Sequence, residues 1–266
     1  MDGTFLDGQG SFDRERFSRV LDKLEEKKIP FVIASGNGIG RLLQLCQGFE
    51  HRLIFVADNG AHIYHQGKTL IRRSIQQDEI KAILEFFQGR WADVCLMLSN
   101  EENIYMQAGA GVPFEGTDLP IESAQMAAFQ NRVTYLDDLS AYPVSESIYK
   151  VGLWVPEARV ESITEEFNQA FQGQLVAVTS GYGSVDILPQ GIHKAWGLEQ
   201  VLQDLAIQPD QVMAFGDSDN DIELLSCVGA SYAMENATDK VKAVAKYMAP
   251  SHLEAGVLQV LEELFL

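Results

Sequence analysis

Gln211-Val212-Met213-Ala214-Phe215 runs straight into Gly216-Asp217-Ser218-Asp219-Asn220-Asp221. A short apolar run that ends in Gly and then carboxylates reads as a buried strand delivering acids to the carboxyl edge of a sheet. Met1-Asp2-Gly3-Thr4-Phe5-Leu6 offers a second acidic turn at the other end of the chain. Hard cations such as Mg²⁺ take oxygen ligands, commonly one or two carboxylates completed by phosphate and water. Together the two stretches point to phosphate chemistry around a divalent cation.

The pattern around them is that of an α/β protein. Asp13–Lys28 carries Phe17, Val20, Leu21 and Leu24 on one helical face and is stopped by Pro30. Phe31–Ala34 and Leu53–Ala57 are short buried strands, with a helix over Gly38–Gly48 between them. Ala61–Ser74 reads as a hairpin about Gln66-Gly67. From Lys194 the alternation resumes, with helices over Lys194–Leu205, Asp221–Val228, Thr238–Ala245 and Glu254–Phe265 and strands at Val212–Phe215 and Tyr232–Met234.

The intervening chain differs. Helices over Gln77–Phe87 and Ala158–Phe171 interrupt a series of alternating runs at Val94, Ile104, Val133, Tyr149, Leu175 and Val185, the order of an α+β unit with an antiparallel sheet. The expected organisation is a Rossmann-like parallel-sheet core from 1–74 and 187–266, with an α+β domain inserted at 75–186.

Composition narrows the partners. With 38 acidic and 20 basic residues the formal charge is −18, which argues against nucleic acid or an anionic membrane as partner. An anionic substrate then needs local positive charge from a metal or a placed Lys. The three cysteines, Cys46, Cys95 and Cys227, show no paired spacing and read as buried free thiols of a cytoplasmic protein. No signal peptide or membrane-spanning stretch is visible.

Four stretches fall at strand ends or helix starts of the α/β part: Asp2-Gly3-Thr4, Ser35-Gly36-Asn37, Lys194, and Asp217 to Asp221. Ligands of open α/β sheets bind beyond the carboxyl ends of strands, where these could converge. Ser35 and the backbone N–H groups after it can hold phosphate oxygens, or Ser35 can simply cap its helix. Lys194 can neutralise a transferring group, and a cation at a helix start is otherwise disfavoured. Asp217 can hold a metal, and Asp2 can give and take a proton.

Asp-Gly-Thr near the start, Ala-Ser-Gly-Asn about thirty residues on, a later Lys and Gly-Asp-Ser-x-Asn-Asp resemble, in order, the motifs of the haloacid dehalogenase superfamily. More narrowly the chain resembles its Cof-like sugar-phosphate phosphatases with a large inserted cap. Ala57-Asp58-Asn59-Gly60-Ala61, Gly191-Ile192-His193-Lys194-Ala195 and Ala233-Met234-Glu235-Asn236-Ala237 extend the likeness over essentially the whole chain. The resemblance implies that Asp2 is the general acid/base and lends its backbone carbonyl to Mg²⁺. Ser35, Gly36 and Lys194 would bind the phosphoryl group. Asp217 would be the main metal carboxylate, Asp221 would orient the metal site from behind, and Asn220 would contact phosphate or metal-bound water. Asn59 is a candidate for substrate contact, and Tyr182, between two strands of the insertion, is a further one. The implied substrate is a small phosphorylated metabolite.

One departure matters. The family pattern is Asp-x-Asp-Gly-Thr, its first Asp being the nucleophile that becomes an aspartyl-phosphate. Here Met1 holds the x position. The nucleophile and the strand leading into it, near the middle of the sheet, would lie upstream of Met1. Either the polypeptide carries about eight more residues, a usual strand length plus its turn, or it is a catalytically inactive protein that binds phosphorylated ligands.

Overall fold

The computed structural model describes residues 1–113, 123–181 and 183–266, and Tyr182 lies outside them. The chain divides into two compact units, Met1–Arg72 with Ile192–Leu266, and Arg73–Gly191.

The first unit begins with a tight turn. The Met1 carbonyl accepts the N–H groups of Thr4, Phe5 and Leu6, which drives Phe5 and Leu6 into the core. Helix α1 (Arg14–Glu26) starts where Asp13 accepts the Arg16 N–H, and it buries Phe17, Val20, Leu21 and Leu24, the spacing of one helical face. Strand β1 (Phe31–Ala34), helix α2 (Ile39–Leu45) and strand β2 (Leu53–Ala57) follow. β1 and β2 are parallel, with Phe31 opposite Leu53 and Ala34 opposite Val56. Every β2 residue is buried, as expected of a parallel strand covered on both faces. The hairpin β3 (His62–His65) and β4 (Lys68–Arg72) completes a four-stranded sheet in the order β1-β2-β3-β4.

The second unit contains α3 (Gln77–Phe86), β5 (Met97–Ser99), β6 (Ile104–Gln107), α4 (Ser123–Gln130), β7 (Val133–Leu136), β8 (Lys150–Trp154), α5 (Glu157–Ala170), β9 (Leu175–Gly181) and β10 (Ser184–Pro189). Its six strands run in the order β7-β6-β5-β8-β10-β9. Leu98, Val151, Leu153, Val185 and Ile187 share a core with Ile80 and Ile83 of α3 and Phe167 of α5. The expected antiparallel sheet needs one correction: β6 and β7 are parallel. Helix α4, unexpected from sequence, lies between them in the chain, and a parallel pair requires such a crossover.

The chain then returns to the first unit with α6 (Lys194–Leu205), β11 (Met213–Gly216), α7 (Ile222–Cys227), β12 (Ala230–Met234), α8 (Asp239–Val244), β13 (Tyr247–Ala249) and α9 (Gly256–Phe265). β11, β12 and β13 form a parallel three-stranded sheet. β13 escapes a sequence reading because Tyr247 and Met248 are both exposed. Arg16 of α1 grips Glu262 of α9 through two hydrogen bonds of 2.9 and 2.6 Å. Cys46 and Cys95 are buried, and burial pushes both thiols up to about 12. Cys227 is exposed, contrary to expectation, because it is the last residue of the short α7, whose buried positions are Leu224 and Leu225.

β1 and β11 are edge strands of their two sheets. Both edges border one cleft of about 500 Å³, lined by Phe31–Ala34 on one side and Val212–Phe215 on the other, with Met1 at its margin. A parallel strand laid between them would pair with both ladders and cover apolar surface. A segment of about eight β-branched residues ending in Asp ahead of Met1 is therefore expected to raise Tm by roughly 5 °C or more. Scanning calorimetry that shows no rise would refute the cleft as a strand site.

His62 of β3 is buried, its Nε2 lying 2.9 Å from Thr69 Oγ1. Burial, reinforced by the Arg72 cation, holds its imidazole down at about 4. In the unfolded chain the ring titrates near 6.5. The stabilisation from the neutral ring is thus complete above about pH 6.5 and is lost as pH falls towards 4. Urea unfolding should lose up to about 3 kcal/mol across that window, and His62→Gln should flatten that part of the curve.

Candidate functional site

The carboxyl ends of β1, β2 and β11, the start of α6 and the turn at Asp2–Thr4 supply one set of polar side chains. β11 ends at Gly216, and the following turn folds back so that Asp221 Oδ2 accepts the N–H groups of Asp217 (3.0 Å) and Ser218 (3.2 Å). The other Asp221 oxygen accepts from Lys194 Nζ at 2.6 Å. Lys194 also donates to Asn220 Oδ1 at 3.1 Å, and Asn220 Nδ2 donates to Asn59 Oδ1 at 2.9 Å. Lys194, Asn220, Asp221 and Asn59 are all buried.

From Asn59 the connections continue through backbone. Its N–H donates to the Ser35 carbonyl at 2.9 Å, and Ser35 Oγ accepts the Asn37 N–H at 3.1 Å. Asn37 Nδ2 donates to Asp2 Oδ2 at 2.7 Å, and Arg41 Nη2 donates to Asp2 Oδ1 at 2.8 Å. Gly36 lies in the turn between Ser35 and Asn37 that leads into α2. Thr4 Oγ1 donates to Asp217 Oδ1, and Ser218 Oγ donates to Asp217 Oδ2 at 3.0 Å. Asn236 Nδ2 donates to the Gly3 carbonyl at 2.8 Å. Gly3 has φ +70°, and a Cβ there would stand 2.4 Å from Asp217 Oδ2. Glycine alone permits the two acidic turns to meet this closely.

The electrostatics divide the three aspartates. Burial raises Asp217, and the neighbouring Asp221 carboxylate raises it further. Asp221 is buried, and burial pushes its carboxyl up, but the Lys194 charge and hydrogen bond, the amino terminus and the Asp217 N–H together hold it low. Burial also pushes against Asp2, but the amino terminus, Arg41 and the Asn37 amide together pull it below the ordinary carboxylate range. Asp217 is thus the one of the three whose surroundings leave its negative charge under-compensated.

Among the described residues no group of three or more His, Cys, Asp or Glu side chains is arranged to hold a metal ion. A hard cation here would rest on the Asp217 carboxylate, with phosphate and water for the remainder. That donor set fits Mg²⁺, which keeps several waters and rarely uses an all-protein cage. Both oxygens of Asp221 are engaged by Lys194 and by the two backbone N–H groups.

The structure therefore brings Asp2, Ser35, Asn59, Lys194, Asp217, Asn220 and Asp221 into one connected network. Arg41 is the member that sequence reasoning missed. It lies one turn into α2, and nothing local distinguishes it from a solvated surface Arg. Its Nε is buried with no hydrogen-bond partner among the described residues. Asn37 and Asn236 stood within quoted motifs without an assigned part.

A family model of haloacid dehalogenase-like hydrolases matches residues 1–261. A 5-amino-6-(5-phospho-D-ribitylamino)uracil phosphatase of Escherichia coli K12, YbjI, is 31% identical over 263 residues, covering 99% of this chain and 93% of that protein. The crystal structure of SMU.1108c from Streptococcus mutans UA159 superimposes with a TM-score of 0.86 at 34% identity, over 99% of this chain and 96% of that one. The subclass IIB sugar phosphatase BT4131 shares the fold, with a TM-score of 0.75 at 18% identity over 99% and 96% of the two chains. On the strength of the family match across nearly its whole length and of relatives above 30% identity, the chain belongs to the haloacid dehalogenase-like hydrolases, with the core and inserted cap of the Cof-like subclass.

Proposed function

We propose that this protein hydrolyses phosphate monoesters of small sugar-like metabolites in a Mg²⁺-dependent reaction. The observation that carries the reading is the network joining Asp217 and Lys194 to Asp2 and Ser35. Apart from the nucleophile, each element of phosphoryl transfer has a candidate residue on it. The E. coli relative is a phosphatase of a substrate whose phosphate sits on a ribityl chain, which makes a phosphorylated polyol or sugar the first class to try.

In this reading the attacking carboxylate belongs to an Asp immediately ahead of Met1. Its oxygen bonds to phosphorus in line as the ester P–O bond breaks, and Asp2 gives a proton to the leaving alkoxide. Water then attacks the aspartyl-phosphate, Asp2 takes the water's proton, and inorganic phosphate departs with the nucleophile restored. Lys194 and the Ser35–Asn37 turn hold the phosphoryl oxygens, and the buried Arg41 Nε is a further donor for an anionic ligand. Mg²⁺, carried by Asp217 and the Asp2 carbonyl, would polarise the phosphoryl group. Asp221 serves by holding Lys194 and the Asp217 turn.

The test is phosphate release from a panel of sugar and polyol phosphates by the polypeptide bearing Asp before Met1, with Mg²⁺ and with EDTA. Release with Mg²⁺ alone is expected. No release from any substrate would sink the catalytic reading and favour a protein that only binds phosphorylated ligands.

Asp217→Asn is expected to lower kcat/KM by about 10²–10³, the usual loss when one charge-stabilising group is removed, and to raise the Mg²⁺ concentration needed for half-activation. Lys194→Met should cost a similar factor in rate. It should also destabilise the fold by about 3–5 kcal/mol, because Asp221 is left buried and unpaired. Adding Asp221→Asn should restore much of that stability but none of the rate, which denaturation and turnover measured side by side would check.

A further inference from the structure

Asp58, Asn59 and Gly60, at the end of β2, all have positive φ (49°, 52° and 103°). Three consecutive left-handed residues are uncommon, and the first two are of the types that tolerate it best. The turn is also enclosed: Asp58 and Asn59 are buried. Such outliers survive only where the surroundings over-determine them, and they concentrate at functional sites.

The turn touches three arms of the site: the Ser35–Asn37 turn, the start of α6 and Asn220. The Asp58 N–H donates to the Asn37 carbonyl at 3.0 Å and the Asn59 N–H to the Ser35 carbonyl at 2.9 Å. Gly60 lies so close to the start of α6 that a Cβ would stand 2.2 Å from the His193 carbonyl oxygen. The Asn59 side chain reaches Asn220.

The direction of that last bond has a chemical reason. Lys194 Nζ is a donor only, so Asn220 must turn its carbonyl oxygen to it, and its NH₂ then faces Asn59. Only an acceptor at that spot keeps the Asn220 amide in this orientation, and Asn59 Oδ1 supplies it. We infer that Asn59 is a positioning residue: through its side-chain oxygen it holds Asn220, and through Asn220 it holds the Lys194 ammonium. This goes beyond direct substrate contact, and only its kinetic consequence rests on the phosphatase reading.

The experiment compares Asn59→Gly, which keeps the left-handed backbone and removes the acceptor, with Asn59→Asp, which keeps an acceptor. The first readout is hydrogen exchange of the Asn220 side-chain NH₂, assigned by its loss in Asn220→Ala. Exchange should quicken about tenfold in Asn59→Gly, the scale of one lost buried hydrogen bond, and stay within about twofold in Asn59→Asp. The second is turnover of the sugar phosphates above by the polypeptide bearing Asp before Met1. Asn59→Gly should lower kcat/KM about tenfold, chiefly in kcat, and the double variant with Asn220→Ala should be no slower than Asn220→Ala alone. Multiplicative losses, or an unchanged Asn220 resonance in Asn59→Gly, overturn the inference. Quickened exchange in a protein without turnover upholds it while the phosphatase reading falls. If Asn59→Gly does not fold, Asn59→Ser, too short to reach Asn220, takes its place.

Discussion

The buried ion pair between Lys194 and Asp221 is the constraint on which the rest of the site depends. Both charges are almost wholly removed from water, and such removal costs several kcal/mol per ion unless partners replace the lost hydration. Here they do. Asp221 accepts one hydrogen bond from Lys194 and two from backbone N–H groups, and Lys194 donates a further one to Asn220. The pair joins the start of α6 to the turn after β11, so the position of Asp217 follows from it. It also accounts for a cation at a helix start, where the dipole opposes it: Asp221 supplies the compensating charge.

Under the proposed function, the site reconciles an acidic chain with an anionic ligand. A protein of formal charge −18 repels phosphate at long range, so attraction must come from charges placed locally and shielded from solvent. Lys194 is such a charge, buried and tied to Asp221, and the half-buried Arg41, tied to Asp2, is a second. Asp217 keeps a charge under-compensated, which is the setting for a bound cation.

Much of this was legible because the motifs are local. Gly-Asp-Ser-x-Asn-Asp after an apolar run specifies a strand, a tight turn and a helix start within a few residues, and short-range hydrogen bonds execute it. The same holds for α1, whose buried residues fall at helical spacing. What sequence reading lost was non-local or weakly patterned. α4 lacks an amphipathic face to betray it, β13 exposes two of its three residues, and the parallel pairing of β6 with β7 follows from a crossover that the missed helix provides. Arg41 joins the site only because α2 returns it to Asp2, 39 residues away in the chain.

By itself the sequence determined the fold class and pointed to most residues of the candidate network, because periodicity and turn chemistry act over a few residues. Tertiary structure alone decided which partner each of those residues has. It set Asp221 behind Lys194 rather than facing solvent, gave Arg41 to Asp2, and turned Asn59 towards Asn220 through a left-handed turn. Those choices depend on burial and close approach between segments as far apart as Asn59 and Asn220. Desolvation makes each unpaired polar group costly, and that penalty exists only once the chain has closed around it.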